Sequence, residues 1–154
     1  MSLLEKGWAK LVGSYAGSES VSLLLANIHL SGVPSESNYH DQIRDRTEFW
    51  DSLLIAEKRR FKVTTRSAPK TGASKVAFHV QAKEIESGGE TIRVIGLENT
   101  WGEFDKRDYW SAGTNQTLTS DLRQQHGLID GDKKFFIIFD DFVRAFYETM
   151  LSSE

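Results

Sequence analysis

The chain has 154 residues, 39% hydrophobic and 27% charged, which suits one globular domain with a sizeable core and calls for no second domain. A formal net charge of −3 with both signs interspersed gives no electrostatic reason to expect nucleic acid or an anionic membrane as a partner, and zero cysteines exclude a disulfide framework and a thiolate metal site. The most apolar run, Val21 to Leu30, is broken by Ser22, Asn27 and His29 and falls short of the ~20 residues of a membrane span, so a soluble chain, cytoplasmic in setting, is expected.

The first predicted element is a short amphipathic helix, with Leu4, Trp8 and Leu11 on one helical face and Gly13 as its stop. Ser18 or Ser20 caps a second helix through Leu23, Leu24 and Ile28, ended by Ser31-Gly32-Val33-Pro34, and Pro34 to Asn38 reads as loop. Thr47 is read as the cap of a third helix, whose apolar positions are Phe49, Trp50, Leu53, Leu54 and Ala56. Lys58-Arg59-Arg60 with Lys62 reads as the solvated end of that helix.

From Phe61 the period shortens to two. Phe61, Val63 and Thr65 alternate with Lys62, Thr64 and Arg66 as in a half-buried strand, and Pro69 to Ala73 interrupts it. Lys75 to Ile85 and Glu90 to Leu97 form two more strands, joined by Glu86-Ser87-Gly88-Gly89, whose glycines tolerate the positive φ of a hairpin turn. A polar segment around Gly113 to Gln116 and a short helix near Leu122 to His126 follow. The chain closes with a strand, Lys134 to Ile138, and a helix from about Asp140 to Met150, with Phe142, Phe146 and Met150 four apart. The sum is a single antiparallel, β-rich α+β domain over residues 1–154.

The segment Glu98-Asn99-Thr100-Trp101-Gly102-Glu103 ends the second hairpin strand. An Asn followed two residues on by Trp and three on by Gly marks, in papain-type cysteine proteases, the residue that orients the catalytic His. With Leu3 to Tyr15, Phe49 to Leu54, Ile92 to Glu103, Trp110-Ser111 and Phe135 to Phe146 in the same order and spacing, the chain resembles the second, His- and Asn-bearing subdomain of the calpain protease core over nearly its whole length. The resemblance implies a papain-like subdomain with a twisted antiparallel sheet or half-barrel and helices at both ends. It also implies a Cys-bearing subdomain of the same protein upstream as partner, and a polypeptide as substrate or binding partner.

The departures from the family pattern bear on chemistry. An ungapped alignment of Ala82 to Gly89 places the family's catalytic His at Lys75, whereas His79 takes that role only if four residues are removed from the hairpin. A lysine near its ordinary pKa of ~10.4 has no lone pair with which to deprotonate a thiol. Trp101 and Gly102 would flank the substrate cleft. The resemblance further implies a calcium ion held by acidic residues matching Asp105, Asp130 and Asp132, with Ala112 where another acid is usual, while Asp130-Gly131-Asp132 is also an ordinary turn sequence. Two expectations stand: a catalytically inactive pseudoprotease with a binding or scaffolding role, or one half of an active calcium-dependent endopeptidase that uses His79 and Asn99 with a Cys from upstream.

Overall fold

The computed structural model describes residues 3–14, 28–29, 32–67, 77–99 and 112–152. Its elements are helix α1 (Leu3–Leu11), strand β1 (Ser35–Tyr39), a 3-10 turn (His40–Gln42), helix α2 (Arg46–Arg59), and strands β2 (Lys62–Ser67), β3 (Ala77–Ser87) and β4 (Glu90–Glu98). Helices α3 (Ala112–Thr117) and α4 (Ser120–His126), strand β5 (Lys134–Ile138), helix α5 (Phe139–Ala145) and strand β6 (Phe146–Ser152) complete them. All six strands join one antiparallel sheet in the order β1-β6-β2-β3-β4-β5, an open α+β architecture as expected. No helix among the described residues is long and apolar enough to cross a membrane.

The final segment corrects the sequence reading. Helix α5 stops at Ala145, and Phe146 to Ser152 runs instead as a strand inserted between β1 and β2. The spacing of Phe142, Phe146 and Met150 misleads because intervals of four satisfy a period of two as well as one of 3.6. Pairing decides between them: Ser35 to Tyr39 lies opposite Ser152 to Glu148 and becomes β1, where Pro34 to Asn38 reads as loop from the sequence. The Ser35 and Ser152 hydroxyls meet at 3.0 Å, and Ser37 donates to the Glu148 carboxylate, so polar cross-strand bonds replace the missing apolar alternation.

Helix α2 is set by its ends. Asp45, not Thr47, is the cap, accepting from the backbone N–H of Thr47 at 2.8 Å and of Glu48 at 3.1 Å. At the other end Arg60 takes a left-handed φ of 58°, letting its own N–H reach Glu57 O and that of Phe61 reach Ala56 O, a Schellman closure. Between these ends Phe49, Trp50, Leu53 and Ala56 are buried against the sheet. They pack with Phe78, Val80, Ile95, Leu97, Phe135 and Ile137 from β3, β4 and β5, and with Phe139 and Phe142 from α5, as the main core. The opposite face of β3–β5 carries a second cluster, in which Ile85, Val94 and Phe136 meet Leu118, Leu122 and Leu128 around α4. Helix α1 forms as expected, but its apolar stripe is exposed at Leu4 and Leu11, with only Ala9 buried.

Gly88 and Gly89, at φ of 61° and 83°, make the two-residue turn between β3 and β4, with Ser87 and Glu90 as the closing pair. This hairpin fixes the register in which β4 delivers its last residues.

Candidate functional site

Strand β4 gains its position from alternation. Ile95 and Leu97 face the main core and Val94 the second cluster, while Gly96 lies opposite Phe136 of β5. A Cβ on Gly96 would stand 2.9 Å from the Phe136 ring, so glycine is what allows the ring to approach the strand this closely. Asn99 follows directly. Its N–H donates to Lys133 O at 2.8 Å, one rung beyond the Glu98–Lys134 pair, and the residue is only 2% exposed. The carboxamide is therefore carried just after β4 by a backbone tied to the β5 side, unlike a loose turn residue.

His79 lies in β3 opposite Glu98 and is exposed, whereas its neighbours Phe78 and Val80 are buried in the main core. Strand alternation puts the imidazole with Gln81 and Lys83, on the face opposite Leu97. Asn99 is buried and His79 is not, and the pleat that carries Leu97 inward leads on to Asn99. Lys75, Trp101, Gly102 and Asp105 lie outside the described residues.

The acidic pair behaves differently from a cation site. Oδ1 of Asp130 accepts from the Phe136 N–H at 3.0 Å and from the Arg123 guanidinium at 3.2 Å. Arg123 also donates to Leu118 O at 3.0 Å and Phe136 O at 3.1 Å. Strand β5 is a sheet edge, and these bonds satisfy the outward N–H and C=O of Phe136, while Gly131 N–H covers Lys134 O and the Thr114 hydroxyl covers Ile138 N–H. Asp130 is thus an edge-capping residue beside a fixed positive charge, and Asp132 is exposed in the turn. Among the described residues no three His, Asp or Glu groups converge on one point. As arranged, Asp130 and Asp132 do not fit a hard divalent cation, which requires several free oxygens and tolerates no guanidinium among them.

Arg123 was not singled out from the sequence, and only its seven-residue spacing from Asp130 hinted at a pair. His40 was missed as well. It is buried at 7% exposure between Phe49 and Phe142, with ring centroids 5.6 and 5.0 Å away. Nε2 lies 2.7 Å from the Thr149 hydroxyl, which donates to Thr65, which in turn donates to Glu148 O. That direction of donation makes Nε2 the protonated nitrogen, while the backbone of Phe142, Val143 and Phe146 faces the ring. Burial pushes the imidazole pKa down from 6.5 to about 4. It is a neutral core histidine, joined to the sheet rather than to Asn99.

The profile of the family described as calpain family cysteine protease matches residues 1–152. Mouse calpain-9 is 29% identical over 91% of the chain, rat calpain-9 27% over 94%, and the bovine calpain-1 catalytic subunit 25% over 94%. The chain spans only 22–23% of the length of these relatives. With the family profile covering the chain from α1 to β6, this protein belongs to the calpain family of cysteine proteases.

Proposed function

We propose that this domain is the second subdomain of a calpain-type core, catalytically inactive in itself, and that it holds polypeptide rather than cleaving it. The observation that carries the reading is the separation of groups that catalysis needs together: Asn99 is buried at the end of β4, while His79 is exposed on β3 opposite Glu98. The chain also contains no cysteine to form a thiolate. In this reading Lys75 stands at the family's imidazole position. Its ammonium is a donor only, so it can hydrogen-bond the Asn99 carbonyl oxygen but takes no proton from a thiol. Asn99, Trp101 and Gly102 then line a cleft for an extended peptide, and a Cys-bearing subdomain of the same protein is its packing partner. A cytoplasmic setting belongs to the same reading, since a reducing compartment keeps the cysteine of the partner subdomain as a free thiol.

The experiment is to incubate the protein that carries this domain with denatured casein and calcium, with and without an epoxide directed at active-site thiols. Binding without cleavage is expected. Cleavage that the epoxide blocks and His79→Ala abolishes would establish the alternative, a calcium-dependent endopeptidase using His79 and Asn99.

A further inference from the structure

Far from Asn99, a cleft of about 300 Å³ opens where the start of α2, the turn end of the β3–β4 hairpin and the β5–α5 junction meet. Its polar lining includes Arg46, Arg93, Thr117 and Asp140, and its apolar side includes Ile138 and Phe139. Arg93 lies six residues before Asn99 along β4, or ~20 Å at the rise of a strand.

Arg93 is the unusual member. It is half-buried, with its guanidinium carbon 5.6 Å from the ring centroid of the fully buried Trp50, a cation–π contact that restrains the guanidinium. Among the described residues that fork makes no hydrogen bond or ion pair. Glu84 stands opposite in the strand register, and its Oε1 accepts the Trp50 indole N–H at 2.8 Å. A half-buried guanidinium with idle donors is costly unless a ligand supplies acceptors. Arg46 bonds Asp140 at 3.0 Å, yet both side chains are more than half exposed, so this pair exchanges readily. Arg46 and Arg93 face Asp140 at the cleft and Glu84 beside it, so the local charge is balanced and favours a single carboxylate over a phosphate dianion.

We propose that this cleft receives a carboxylate side chain of a polypeptide, a Glu or Asp, with Arg93 as the preoriented fork and Arg46 turning from Asp140 to the ligand. The apolar side gives the methylenes of that side chain a surface, and the Thr117 hydroxyl is available as a further donor. The site is independent of the chemistry at Asn99, since nothing in it depends on which residue faces that carboxamide.

The test is an amide NMR titration with a blocked tri-glutamyl peptide, its tri-glutaminyl counterpart and inorganic phosphate at matched ionic strength. The expected result is saturable shifts at Thr91, Arg93, Thr117 and the Trp50 indole N–H with the acidic peptide and none with the glutaminyl one. Arg93→Gln is expected to weaken binding by about tenfold, as the loss of a charge-assisted fork implies. Arg46→Gln, at an exposed position outside the core, is expected to weaken it several-fold and serves if Arg93→Gln disturbs packing. Equal shifts with the glutaminyl peptide, unchanged affinity in both variants, or tighter binding of phosphate than of the acidic peptide would overturn the proposal.

Discussion

Acid is expected to destabilise this fold through His40. The folded-state pKa is about 4 against an ordinary 6.5, because burial among Phe49, Phe142 and Thr149 disfavours the imidazolium. The unfolded chain therefore binds the proton first as pH falls, and stability declines through the window between 6.5 and about 4. A displacement of that size corresponds to about 3 kcal/mol at its limit, of which roughly 2 kcal/mol is lost by a pH near 4.5. The contribution of His40 is isolated by difference from a variant that lacks the imidazole. Urea unfolding of the wild type and of His40→Phe, at about pH 7 and about pH 4.5, supplies that difference. The phenyl ring keeps the aromatic contacts and forfeits the bond to Thr149, at a pH-independent cost of about 1 kcal/mol. The variant should lose roughly 2 kcal/mol less than the wild type over the acid interval. Equal losses in the two proteins would refute the argument that burial sets the charge of this ring.

Gly96→Ala forces a Cβ to 2.9 Å from the Phe136 ring and should lower stability by about 1–3 kcal/mol. Thermal melts should show most of that loss recovered in Gly96→Ala/Phe136→Leu, and no recovery would mean that the clash is elsewhere. Arg123→Gln removes a charged hub that serves Asp130, Leu118 and Phe136, and should cost about 2–4 kcal/mol with faster amide exchange at Phe136. A change below about 0.5 kcal/mol would show that the β5 edge is held by other means. Because Asp130 is committed to Arg123, millimolar calcium should move the Tm by no more than about 1–2 °C in differential scanning, and a larger rise would establish a cation site that this pair does not explain.

What the sequence disclosed depended on whether a pattern had a single structural solution. The β3–β4 hairpin was legible because paired glycines, alternation and length all agree, and β5 was legible because Phe135 to Ile138 is a short continuous apolar run, as in a strand buried on both faces. β6 was not, since the spacing of Phe142, Phe146 and Met150 serves helix and strand alike, and only pairing with β1 and β2 breaks the tie. β1 was invisible for a related reason: Ser35, Glu36, Ser37 and Asn38 carry no apolar alternation, and their strand exists through bonds to β6. At the site, the offsets of Asn99, Trp101 and Gly102 pointed to a lineage. The burial of Asn99 and the exposure of His79 depend on which face each strand turns inward, which no local pattern states. Arg93 and Arg123 read as ordinary surface charges until tertiary contacts gave one a stacked ring and the other three acceptors.

The most direct test of the inactive-protease account is a side-chain NOE experiment on Asn99 in the folded domain. The account expects cross-peaks from the Asn99 carboxamide protons to the Lys75 methylenes and none to the His79 ring. Strong cross-peaks to the His79 ring protons would place an imidazole beside the carboxamide and contradict it.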